Sequence, residues 1–191
     1  MVHRDTPSPA PTDPTPGPHR DPDREPGRGP AAWWHTTVEP GRHTAELREP
    51  MAVFLIGMRV NRPWNPRRWW WVTKAMPAML AALADVPELG LRHVEQFTRG
   101  RTSLSLQYWE SPQALMAFAA DRDNPHLEAW RRFNRELADR DDVGIWHETY
   151  VVEPGDYEGI YVNMPLFGMA AAAGRVPVGT RSGRARQRLS A

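Results

Sequence analysis

The chain has 191 residues, and 24 Lys and Arg against 23 Asp and Glu leave a formal net charge of +1, so no strong field of one sign is available to steer a partner. The absence of Cys excludes a disulfide framework, Cys-ligated zinc or iron–sulfur clusters, a thiolate heme ligand and a Cys nucleophile. Lys74 is the one lysine, which argues against Schiff-base chemistry.

Charge and composition divide the chain into three. Residues 1–30 hold nine of the 20 prolines and carry −1, and apart from Ala and Pro their apolar residues are Met1 and Val2. Such a segment buries too little surface to offset its ordering entropy, so a disordered Pro-rich arm is expected. Residues 175–191 carry +5 with no acid and no apolar periodicity. They read as a disordered basic tail, the alternative being weak attraction to phosphate or anionic lipid. Residues 31–174 are expected to form one domain, mildly acidic at −3, which speaks against a nucleic-acid partner. No run approaches the roughly 18 apolar residues of a membrane helix, so a cytoplasmic protein without a membrane partner is expected.

Within the domain, Ala52–Val60 is an apolar, β-branched run bounded by Pro50 and Pro63, which predicts a buried strand. Val72, Met76, Met79, Leu80 and Leu83 fall at helical spacing and predict a helix over 69–84, with Pro77 near its start or at a kink. Leu91–Thr98 and Thr102–Glu110 flank Arg99-Gly100-Arg101 as a hairpin. Ser111-Pro112 and Asn124-Pro125 each pair an N-cap with Pro at the first helical position, predicting helices over 112–121 and 125–138. Val143–Val152 is a fourth strand and Tyr157–Met164 a fifth extended segment.

The order β, α, β, β, α, α, β predicts an α+β, ferredoxin-like split βαβ fold with an antiparallel sheet and a doubled second helix. Helices on one side leave the other face of the sheet to be buried, and a second copy of the chain does this at least cost, so a homodimer closing a dimeric α/β barrel is expected. On the third strand Ser103, Ser105, Gln107 and Trp109 share one side, opposite Leu104, Leu106 and Tyr108. The first set is polar for a plain core and suits either a small-molecule cavity or a wet dimer interface.

Among seven histidines, His3, His19 and His43 lie in segments without a reliable fold, while His35 beside Trp33-Trp34 and His93 beside Leu91 and Glu95 read as structural or satisfied. His126 stands in the first turn of its helix, where the positive dipole end favours a neutral imidazole. Such a ring accepts a proton or ligates iron, or is simply a solvated helix-start residue. His147 lies mid-strand, where a cavity would let it relay protons or bind a metal. Glu148 points to the opposite face, so the two form no dyad. H-x-x-x-H, H-E-x-x-H, G-x-S-x-G, the P-loop and the dinucleotide glycine motif are all missing, so a mononuclear metal site, a hydrolase, a kinase and a Rossmann enzyme are not expected. Nine Trp are many, and Trp69-Trp70-Trp71 cannot all face one core; at least one is exposed, as a dimer contact, a lid over the sheet or a substrate-facing wall.

Val53–Arg59, Asn124–Asn134, Gly144–Tyr150 and Tyr157–Pro165 together resemble the fumagillin-pathway monooxygenase-like family of the dimeric α/β-barrel superfamily. That superfamily also holds cofactor-free antibiotic-biosynthesis monooxygenases, heme-degrading oxygenases and heme-dependent aldoxime dehydratases. The resemblance implies a ferredoxin-like dimer and a monooxygenase acting on a hydrophobic small molecule, in a pocket between sheet and helices. Without a cofactor such an enzyme needs a neutral base, His147 or His126, and donors for the substrate anion, drawn from Tyr150, Tyr161, Gln107 and Asn163. The alternative cofactor is heme b, with His147 or His126 as iron ligand. A third reading is a non-catalytic dimeric module that binds a small molecule. The segment Tyr157–Gly168 is expected to be ordered, either completing the pocket or sealing the sheet as an edge strand.

Overall fold

A computed structural model describes residues 37–84, 86–121, 125–136 and 140–179. They run in the order β1 (Glu39–Ala45), β2 (Met51–Val60), α1 (Pro66–Ala84), a 3-10 turn (Pro87–Leu89), β3 (Leu91–Arg99), β4 (Thr102–Trp109), α2 (Pro112–Ala120), α3 (Pro125–Glu136), β5 (Val143–Val152), β6 (Tyr161–Met164), α4 (Gly168–Ala173) and β7 (Arg175–Pro177). The described residues belong to one unit, Thr36–Ala191. The Pro-rich arm and residues 180–191 lie outside the described residues.

The apolar run around Val53 becomes β2, a central strand paired along its whole length with β4 on one side and β5 on the other. With β3 this gives a four-stranded antiparallel sheet in the order β3-β4-β2-β5. That is the ferredoxin-like order, reached by β2-α1-β3-β4-α2-α3-β5. Ser111 opens α2 as its side chain accepts the Ala114 N–H at 3.0 Å. The first helix begins at Pro66, three residues before the expected start, because Pro66 takes the first helical position after Asn65. It runs through Pro77, whose exposed position leaves the orphaned Thr73 carbonyl to water.

Pleating divides the sheet into two faces. Ala52, Phe54, Ile56 and Met58 of β2 face the helices, packing with Leu83, Trp109, Leu115 and Phe118 near one end and with Val72, Phe133 and Val143 near the other. Met51, Val53 and Leu106 face the other way, against Tyr108, Met169 and Ala170. This second face is covered in part by α4 and by a three-stranded sheet, β6-β1-β7.

Four readings change here. His43 lies in β1, opposite Tyr161 and Pro177, not in an unstructured stretch. Residues 175–177, assigned to the tail, form β7 against β1. The fifth segment is extended only over 161–164: Tyr157 folds back over Gly159, whose carbonyl accepts the Thr44 hydroxyl at 2.8 Å. The polar set Ser103, Ser105, Gln107 and Trp109 faces the helix layer, so a dimer interface is not its role.

Candidate functional site

Gln107 is 1% exposed and Ser105 2%, yet both are hydrogen-bonded within a ladder of side chains on the helix-facing side. Trp109 Nε1 donates to Gln107 Oε1 at 3.0 Å, Gln107 Nε2 donates to Ser105 Oγ at 3.2 Å, and Gln96 Nε2 donates to the same oxygen at 2.9 Å. The second Gln107 N–H points at Met76 Sδ of α1, 3.9 Å away. A thioether is a weak acceptor, so this donor is held in place but poorly used.

His147 stands on the same face. It pairs in register with Ile56, which pairs with Ser105, and its ring centroid lies 5.7 Å from that of Phe54, the register partner of Gln107. Two strand spacings across and two residues along put His147 and Gln107 about 12 Å apart at Cα, with Phe54 and Ile56 as an apolar floor between them. Because β5 is an outer strand, His147 is exposed. The backbone of His126 lies in the first turn of α3, two turns or about 10 Å before Phe133; its side chain lies outside the described residues.

The other candidates sit elsewhere. Tyr150 is on the opposite face, half exposed, its hydroxyl donating to Glu148 Oε2 at 2.6 Å. That bond and the carboxylate charge raise its pKa above the ordinary tyrosine value. Asn163, at φ 51°, turns its Oδ1 to the Gly41 N–H at 2.9 Å and so fastens β6 to the bulge in β1. Tyr161 shares a 2.9 Å hydrogen bond with the Tyr157 hydroxyl and accepts the Ala170 N–H at 3.3 Å.

Around Tyr161 the structure assembles a cluster that sequence reasoning missed. His93 Nε2 lies 2.6 Å from Glu95 Oε1, the His93 ring is 6.0 Å from that of Tyr108, and the Gly168 N–H reaches the same Glu95 oxygen at 3.5 Å. Burial, with Tyr161 and Glu95 nearby, pushes Tyr108 up to about 12; burial and the bond to Tyr161 push Tyr157 up as well. A Cβ on Gly168, which has φ 56°, would stand 3.1 Å from the Tyr108 hydroxyl. The group therefore docks α4 on the sheet. His93 and Glu95, two apart on one strand, were the available signal, since that spacing puts both on one face.

One further feature of this second face is a stack: Gly57 lies beneath the Trp146 indole, where an added Cβ would be 2.5 Å from Nε1. Among the described residues no group of three or more His, Asp or Glu is placed to hold a metal ion.

Strand order, helix layer and doubled second helix define a ferredoxin-like α+β protein. Within that class the chain belongs to the monooxygenase af470-like family, whose family model matches residues 51–169. It is similar to monooxygenase af470 of Aspergillus fumigatus, 29% identical over an alignment 145 residues long that covers 67% of this chain and 50% of that protein. The chain thus spans about half the length of the curated relative it matches. In fold it resembles the crystal structure of an aldoxime dehydratase in complex with butyraldoxime, at 15% identity and a TM-score of 0.59 over 73% of this chain and 40% of that one. Rv0793 from Mycobacterium tuberculosis aligns at 20% identity and a TM-score of 0.37 over 53% of this chain and 92% of that one.

Proposed function

We propose that the protein is a monooxygenase that oxidises a hydrophobic small molecule held between the sheet and its helices, with His147 as base and Gln107 as donor. Membership of the family supports the reaction class. The observation that carries the site is that His147 and Gln107 share one face across the apolar floor of Phe54 and Ile56. His147 takes a proton from an acidic C–H of the substrate, and the Gln107 N–H, moved from the Met76 sulfur to a substrate oxygen, stabilises the anion. The anion reduces O2; a CH2 becomes C=O, and the second oxygen atom leaves as water.

A b-type heme on His147 or His126 has less support. Over β2 and β4 the space a porphyrin needs is filled by the Gln107–Trp109 ladder, Met76, Met79 and Leu83, so no step is assigned to heme. Homodimerisation through the second face is part of the proposal: Trp146 and Tyr150 of β5, which share that face, are 37% and 52% exposed on a strand whose outer edge is unpaired. A chain without Cys suits the reducing cytoplasm.

The test is O2 uptake with a panel of C–H-acidic aromatic ketones. His147→Ala should lower turnover by about 10²- to 10⁴-fold with the fold intact. Full activity in that variant removes His147 from the mechanism.

A further inference from the structure

The inner side of α1 is spent on the core through Val72, Met76, Met79 and Leu83, but its outer side carries a pattern that the fold does not use. Exposed positions Arg67, Trp70, Lys74, Ala78 and Ala81 fall three or four residues apart and form one stripe, with Trp64 just ahead of it. Trp64 is 75% exposed and Trp70 55%, large values for indoles. From Arg62 to Ala84 the sequence has four cations and no acid. Arg62 and Arg68 are engaged by Asp141 and Asp142. Arg67 has no carboxylate partner among the described residues, and Lys74 Nζ sits 4.7 Å over the Trp70 ring instead of on an acid.

We propose that this stripe is a docking surface for an anionic phospholipid bilayer. Trp64 and Trp70 would occupy the interfacial layer, and Arg67 and Lys74 the lipid phosphates. Indoles favour that layer because one edge is apolar and the other donates a hydrogen bond, and cations beside them are attracted to anionic headgroups. Past Lys74 the stripe continues as Pro77, Ala78 and Ala81, apolar and uncharged, where a nucleic-acid strand would call for further cations. A second copy of the chain is disfavoured as occupant, since two-fold pairing of the stripe with itself sets Arg67 and Lys74 against their own copies. The stripe lies on the helix side of the sheet, so pairing through the opposite face leaves it free. Lack of a membrane-spanning helix among the described residues concerns crossing, not surface binding. The inference stands apart from the catalytic reading.

Co-sedimentation of the full chain with phosphatidylcholine vesicles, with and without phosphatidylserine, tests it. Binding should require phosphatidylserine and weaken as salt rises. Arg67→Glu with Lys74→Glu should weaken it at least about tenfold, and Trp64→Ala with Trp70→Ala about tenfold at unchanged charge. Replacing Arg181, Arg184, Arg186 and Arg188 by Gln should leave most of the binding in place. All variants should keep the wild-type melting temperature, since every altered side chain of α1 and its leading turn is exposed. The proposal is overturned if phosphatidylserine has no effect, if the double Trp variant binds as the wild type does, or if the tail variant alone abolishes binding. It is equally overturned if a single-stranded oligonucleotide binds in place of vesicles and the same α1 substitutions abolish that binding.

Discussion

Removing the Ser105 hydroxyl measures how tightly the buried polar ladder is closed. Its oxygen accepts from Gln96 at 2.9 Å and from Gln107 at 3.2 Å. In Ser105→Ala, Gln96 is exposed and returns its donor to water at a cost of tenths of a kcal/mol. Gln107, 1% exposed, keeps only the Met76 sulfur for both amide hydrogens. A buried unsatisfied donor costs roughly 1 to 3 kcal/mol, and the space left by one oxygen is too small for a water, so a loss of about 2 kcal/mol is expected. Urea unfolding should show a midpoint lowered by about 1 M at unchanged slope. Gln96→Ala, which removes the exposed partner alone, should stay within about 0.5 kcal/mol of wild type. If the two variants are equally stable, water already reaches Gln107 and the ladder is not the closed network its hydrogen bonds describe.

Gly57→Ala should destabilise by about 1 to 3 kcal/mol in the same assay, because the new Cβ displaces the Trp146 indole; Gly57→Ala with Trp146→Ala should cost less than the sum of the two single changes. Raising pH should weaken the fold from about pH 10 upward: the unfolded chain releases the Tyr108 proton at the ordinary value, while the folded chain holds it to about 12, so stability is full below that window and lost through it. A phenolate absorbance titration should show a late component that Tyr108→Phe reduces by one tyrosine, the buried Tyr157 remaining in it. Asn163→Ala should cost about 1 to 2 kcal/mol in thermal melts, losing the Gly41 hydrogen bond and keeping a positive φ, and Asn163→Gly should cost less because it relieves the strain.

The four-stranded sheet and its helices were legible because each carries a local signal. The Ser111-Pro112 start of α2 combines a cap with a fixed φ, α3 opens on Pro125, and β2 is an apolar run with buried residues on both faces. What escaped is held by distant partners. β1 contains Pro40-Gly41 and reads as a turn; it becomes a strand only because Asn163 and β7 engage it from far along the chain. For the site, alternation placed Gln107 and its neighbours on one side but could not say which face the helices cover. His147 and Tyr150 are an odd number of residues apart, so the period of two already separates them onto opposite faces, and the structure does so. The His93–Glu95–Tyr108–Tyr161 group draws on three separate strands, and no window of sequence contains it.

The position of β1 also sets an order of events during synthesis. All four strands of the main sheet have been made once Val152 is in the chain, whereas β1 has no pairing partner until β6 and β7 follow. The earliest strand is therefore among the last to find its place, and until then Tyr108, Val53 and Leu106 face solvent without α4 above them. A nascent chain arrested before Tyr161 presents the bare second face of its sheet to whatever chaperone or neighbouring chain is at hand, which makes that interval the one in which this fold is most open to misassembly.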